Sequence, residues 1–254
     1  MCISAEASIK SFGVNLVSCI ALLLLGNPKL KLFNIVTAIF AFFTSLMQLV
    51  DLGMWKDLDG KKGIHQIASY AGPILNYLQP VVLFMVAFYL LNFTSLGKKP
   101  EGKQFNLGKV GNSIASQLDI KMKPGNPINF NKIINLVYLV IIIVILIRYY
   151  RDKWPQEKYK ISKVENGHLK WRWYDGSKSH MVFTITYLIV AGLTFIGIGP
   201  RTPYSYVLFL VYYVALTLVS ILKKEHIGEI WCYVANSFPI ILLALQTVLA
   251  KQLV

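Results

Sequence analysis

The chain has 254 residues, 55% of them hydrophobic and 15% charged, with a mean hydropathy of +0.53. A soluble domain carries about a quarter charged residues, and here charges are also missing from long stretches, which excludes a soluble enzyme, a nucleic-acid-binding domain and a disordered tail. The formal net charge of +14 falls between the apolar runs, where it suits a lipid bilayer with anionic headgroups at the basic loops, or an acidic partner.

A bilayer core of about 30 Å needs roughly 20 apolar helical residues. Uncharged runs predict seven spans, at about 11–26, 32–50, 66–93, 133–150, 181–199, 202–222 and 229–250, in one integral membrane domain covering 1–254. The runs lack polar alternation and are too long for strands, and helices satisfy their own backbone in lipid. The first run has the length of a signal-peptide core. Glu6 precedes it, however, no basic cluster leads in, and Gly26-Asn27-Pro28 is not a small-x-small cleavage site, so it reads as a retained helix.

Two extramembrane loops are expected. The first, 94–132, holds five glycines and three prolines and reads as mostly irregular. The second, 151–180, carries Tyr159, Ile161 and Val164 before Asn166-Gly167, with Leu169, Trp171 and Trp173 alternating after it. Asn-Gly between such runs signals a two-residue hairpin turn. The expected fold is an all-α membrane protein, a seven-transmembrane-helix bundle, with an extramembrane β-hairpin between helices 4 and 5 whose tryptophans face headgroups or a protein partner at 159–174. With seven spans, the face holding the N-terminus and the 51–62 link carries fifteen Lys and Arg against eleven on the other, a small lean towards a cytoplasmic placement.

Ionisable groups in or beside a span cost about 2.5–3.5 kcal/mol on insertion scales and so mark candidate sites. Glu6, Asp51, His65 and Glu229 all fall on the face that holds the N-terminus. Gln48, Asp51 and Trp55 follow i, i+3, i+7 on one helical face, and Glu229, Cys232 and Asn236 repeat that spacing on the seventh span. Asn76 and Gln79 lie deeper on the third, beside Pro80, and Asn15 can reach in from the first. Together these predict a polar ligand pocket opening on that face. The plainer reading is equally physical: Glu229 as a first-turn acid favoured by the helix dipole, Asp51 as a solvated boundary charge, Trp55 as an interface anchor. Asp51 lies near a helix C-terminus, where the dipole opposes it, and is the more telling acid.

A metal-dependent hydrolase built on His65, His226 and Glu229 is the weaker alternative. Catalytic zinc wants three protein ligands and a water, and the remaining histidines, His168 and His180, belong to the hairpin region, so no metal site and no cofactor are assigned and the reading leans against an enzyme. Cys2, Cys19 and Cys232 fit neither a disulfide framework nor a zinc spacing.

Four local patterns carry a resemblance: Met1-Cys2-Ile3-Ser4-Ala5-Glu6-Ala7-Ser8, Met47-Gln48-Leu49-Val50-Asp51 with Trp55, Gln79-Pro80, and Gly228-Glu229-Ile230-Trp231-Cys232. The chain resembles an uncharacterised family of seven-span membrane proteins found in algae, other microbes and the large DNA viruses that infect algae. The resemblance implies seven helices and weight on the Asp51 cluster, but no reaction. The family usually has Glu at Asp51 and a small residue at Glu229, which puts a fixed role for Glu229 in doubt. The leading expectation is a multi-pass protein whose pocket binds, senses or passes a small polar ligand or ion. The alternative is a structural protein of a virion's internal membrane, tying lipid to shell.

Overall fold

The computed structural model describes residues 4–93, 128–160, 162–165, 168–171, 178–198 and 227–248. Six long helices dominate them: α1 (Ala5–Leu25), α2 (Lys31–Lys56), α3 (Ile64–Phe93), α4 (Ile128–Arg148), α5 (Lys178–Ile198) and α6 (Ile227–Val248). Every one of these helices starts before its uncharged run, and α2 also continues past the end of its run, because a helix obeys its own hydrogen bonds rather than the nearest charge. Thus α1 begins at Ala5, where Ser4 Oγ accepts the Ala7 N–H at 3.0 Å as an N-cap. Likewise α2 runs on through Asp51 to Lys56.

Three helices among the described residues, not seven, are long and apolar enough to cross a membrane: Ala5–Leu25, Pro28–Lys56 and Ile64–Leu91. This corrects the seven-span bundle. The later helices begin in polar sequence, Asn129, Asn131 and Lys132 in α4, Lys178 and His180 in α5, Glu229 in α6. Within α5 and α6 the stretches whose side chains are described, Ile185–Phe195 and Asn236–Thr247, are apolar. The expected sixth span, 202–222, and residues 94–127 of the expected loop lie outside the described residues, while 128–132 belong to α4 and not to a loop.

The extramembrane hairpin is corrected as well. What is described there is a ladder of three residues a side, β1 (Lys163–Glu165) antiparallel to β2 (His168–Lys170), with Val164 opposite Leu169. Two such strands have no independent stability. The segment is held by what it packs on: Leu169 and Trp171 are buried instead of facing headgroups. The Asn166-Gly167 turn and Trp173 lie outside the described residues.

Helix α2 is the hub, touching α1, α3, α5 and α6. Phe195 of α5 sits edge-on to Phe33 and Phe40 of α2 and to Phe238 of α6, with ring centroids 5.5–5.9 Å apart. The hairpin of α1 and α2 is antiparallel, and Asn15 Nδ2 donates to the Ala41 carbonyl at 2.8 Å across it. The turn between them requires Gly26, since a Cβ there would lie 2.3 Å from the Leu22 carbonyl oxygen. Gln246 of α6 ties that turn down, accepting from the Asn27 N–H at 2.8 Å and donating to Asn34 Oδ1 at 2.7 Å. Ten residues earlier on α6, Asn236 Nδ2 donates to Ser11 Oγ at 2.9 Å, so α6 runs alongside α1 in the same direction. The starts of α1, α3 and α6 and the end of α2 therefore share one end of the molecule.

Large apolar side chains point outwards, Val14, Val17 and Leu24 on α1, Val140 and Val144 on α4, while Thr37, Thr44, Gln48, Asp51, His65 and Gln79 are buried. This distribution suits an apolar solvent outside.

Candidate functional site

Spacing along α2 and α3 assembles a buried polar band. On α2, Thr37, Thr44, Gln48 and Asp51 recur at seven, four and three residues, and on α3 His65, Ser69, Asn76 and Gln79 recur at four, seven and three. Each row lies along one helical face, and every one of these side chains is at most 4% exposed. The two helices approach closely at Gly53, where an added Cβ would sit 3.3 Å from Ala68 Cβ. Helix α3 also contains Pro73 and Pro80. Neither can donate to the carbonyl four residues back, so Ser69 and Asn76 lose the usual intrahelical partner of their carbonyls on this same face.

The band is covered by donors from far along the chain. Trp171 Nε1 donates to Asp51 Oδ1 at 2.6 Å, and Tyr187 Oη of α5 donates to Gln79 Oε1 at 2.5 Å. The Ser162 N–H donates to His65 Nε2 at 2.7 Å. Because Nε2 must accept, the imidazole proton belongs on Nδ1, which lies 3.1 Å from the Asp57 carbonyl oxygen and donates to it. Both ring nitrogens of His65 are thus engaged and the ring is neutral.

Asp57 organises the link into α3. Its carboxylate accepts the Lys62 N–H at 3.0 Å and the His65 N–H at 3.1 Å, while Gly60 and Gly63 turn the chain at φ 70° and 74°. The Lys62 N–H foremost, with the His65 N–H, holds the Asp57 carboxyl below the usual carboxylate range against the opposing effect of burial.

Polar capacity is left over around this cover. Trp55 Nε1, Ser69 Oγ and Ser162 Oγ are buried and have no hydrogen-bond partner among the described residues. Trp55 stands one turn beyond Asp51, Ser69 one turn beyond His65, and Ser162 is the residue bonded to His65.

Of the residues expected from sequence, Gln48, Asp51, His65, Asn76 and Gln79 lie on the facing rows of α2 and α3, with Trp55 half-buried beside them. Asn15 is used on the Ala41 carbonyl and Asn236 on Ser11, both away from the band. Glu6 is exposed and pairs with Lys10 on its own helix. The backbone of α6 carries Glu229 and Cys232 at the end shared with the start of α1; their side chains, and His226, lie outside the described residues. No group of three potential metal ligands occurs among the described residues. Buried Cys19 bonds the Ala38 carbonyl at 3.3 Å.

Sequence reasoning passed over Asp57, Ser69, Ser162 and Tyr187 and turned Trp171 outwards. Asp57 had a visible signal, an acid shortly before a helix start followed by Gly60 and Gly63. Tyr187 and Trp171 did not, because in an apolar run each counts as hydrophobic although each carries a donor. Comparison with protein-family models, with curated proteins and with solved structures finds no match to this chain.

Proposed function

We propose that this is a multi-pass membrane protein that binds or passes a small polar ligand or cation at the band between α2 and α3, with the 162–171 segment as its cover. One observation carries the reading: beside the buried Asp51 and His65 stand buried polar groups, Trp55 Nε1, Ser69 Oγ and Ser162 Oγ, with no partner among the described residues. Buried polar groups in native proteins are almost always satisfied, and those that are not call for a water, an ion or a ligand. The carbonyls that Pro73 and Pro80 leave at Ser69 and Asn76 add oxygen acceptors to the same face, the donor type that hard cations prefer. Asp51 supplies charge, and Gln48 and Gln79 supply amide contacts.

The test is thermal unfolding of the detergent-solubilised protein in sodium, potassium or choline chloride at equal ionic strength. A cation bound at a hundred times its Kd stabilises by about 2.7 kcal/mol. Sodium or potassium should raise the midpoint of the wild type above that in choline, and Asp51→Asn and Gln48→Ala should remove the difference while still inserting. The same cation response in both variants would falsify the site.

A second reading is favoured by the way Asp51, His65 and Gln79 are each bonded within the chain. In it the band is glue between helices of a structural membrane protein, such as one joining lipid to a virion shell. That reading predicts stability losses from band substitutions, no cation response in any variant, and failed assembly when 159–174 is trimmed.

A further inference from the structure

The band between α2 and α3 is shut at its inner end by apolar packing. From the Gly53–Ala68 approach, fifteen residues on along α3 and fifteen back along α2 bring buried Leu83 level with buried Ala38. There Phe195 of α5 stands edge-on to Phe33 and Phe40, with centroids 5.9 and 5.5 Å away. At the outer end lies the 162–171 cover. Its ladder of three residues a side has no stability of its own, so it stays down by what it touches. Its ends carry polar anchors: the Ser162 N–H donates to His65 Nε2 at 2.7 Å, and Trp171 Nε1 donates to Asp51 Oδ1 at 2.6 Å.

The two anchors respond differently to a proton. A carboxylate accepts hydrogen bonds down to about pH 4, whereas a histidine ring in water gains its proton near about pH 6.5. His65 offers Nε2 as an acceptor because Nδ1 carries the proton and donates it to the Asp57 carbonyl at 3.1 Å. A second proton therefore goes to Nε2. That nitrogen then presents an N–H to the Ser162 N–H, donor against donor in a buried contact, and the two must part.

The charged ring has a counter-charge at hand in the Asp57 carboxylate, which accepts the His65 backbone N–H at 3.1 Å. The other ionisable groups on the neighbouring elements are engaged or lie in solvent. Asp51 takes the Trp171 indole, Asp59 pairs with Lys61 at 3.1 Å, and Glu157 pairs with Lys160 at 2.6 Å. Lys56, Lys62 and Lys158 are exposed, and Tyr149 and Tyr159 stay neutral in mild acid. The side chains of Lys163, Glu165, His168 and Lys170 on the two strands lie outside the described residues.

We propose that His65 is an acid-sensitive latch: protonation at Nε2 releases the Ser162 end of the cover and opens the band towards the end of the molecule that holds the 57–63 link. The latch rests on the binding reading above only for what lies beneath the cover. It holds above the ordinary histidine value and is lost as pH falls below it.

The test is hydrogen exchange of the full chain in a neutral detergent, read by mass spectrometry on peptides covering 162–171 and, for comparison, 236–247 of α6. Each rate is corrected for the intrinsic effect of pH. An opening driven by one protonation grows by up to about tenfold per pH unit below the ordinary histidine value. Exchange in 162–171 should thus rise by more than about tenfold between about pH 7.5 and about pH 5, with 236–247 unchanged. His65→Gln, whose side-chain carbonyl accepts a hydrogen bond without titrating, should abolish the rise, and His168→Gln should keep it. The same rise in His65→Gln, its loss in His168→Gln, or a wild-type cover equally protected at both pH values overturns the latch. If His65→Gln does not fold, His168→Gln and the α6 peptide decide, since release of 162–171 and 236–247 together is general unfolding and overturns the latch as well. Acid release of the cover with no cation response at any pH supports the latch and removes the binding reading.

Discussion

Two polar interfaces of α2 differ in how they are closed. Towards α1 and α6 the polar side chains form direct helix-to-helix pairs: Asn15 on a carbonyl of α2, Asn34 and Asn27 on Gln246, Asn236 on Ser11. Each pair joins one helix directly to its neighbour, as interhelical amides do in membranes. Towards α3 the polar groups of α2 and α3 are capped instead by Trp171, Ser162 and Tyr187, residues 97 to 120 positions away in sequence, and hydroxyl and indole groups remain over beside them. The first arrangement holds helices together. The second encloses polar groups beneath a separate piece of chain, which is the arrangement a binding site needs.

The contrast can be broken by substitution. The largest effect is expected from Trp171→Phe, which keeps an aromatic ring but removes the indole donor, and part of the buried ring, from beside the Asp51 carboxylate. Losing a buried hydrogen bond to a charged group costs about 2–3 kcal/mol. Thermal unfolding should show that loss, and the cation response should change with it. An unaltered midpoint would mean that the 162–171 segment does not cover Asp51. Gln246→Leu should cost less, about 1 kcal/mol, since interhelical hydrogen bonds in membranes average near 0.6 kcal/mol and two are removed. It should leave any cation response intact; a changed response would join the two interfaces into one system.

The smallest effect concerns pH. The folded-state pKa of Asp57 is lowered, chiefly by the Lys62 N–H, so its contribution to stability is complete above the ordinary carboxylate pKa and is lost as pH falls through the lowered folded value. Unfolding midpoints should therefore decline on acidification below about pH 4, and Asp57→Asn should flatten that part of the profile. An unchanged acid limb in the variant would show that the α2–α3 link is held by its glycine turns alone.

Much of the band was legible in the sequence. Gln48, Asp51, His65, Asn76 and Gln79 stand out as polar residues in apolar runs, and helical spacing already places each set on one face. Asn236 obeys the same spacing yet turns to Ser11, because periodicity gives a direction around a helix but not the neighbour found there. Glu6 was equally visible as an acid before an apolar run, and an exposed i,i+4 lysine takes it.

By itself the sequence determined which segments are helical and apolar, because a backbone with no water to bond must bond within its own helix and hydropathy reports that demand locally. It also determined that polar groups would be buried on α2 and α3. Only the tertiary structure decided that the stretch around Trp171 turns inwards over Asp51, and that α1 with α6 and α2 with α3 form different kinds of interface. Those outcomes depend on hydrogen bonds between residues far apart in the chain, and no local pattern encodes which distant donor reaches a buried acceptor first.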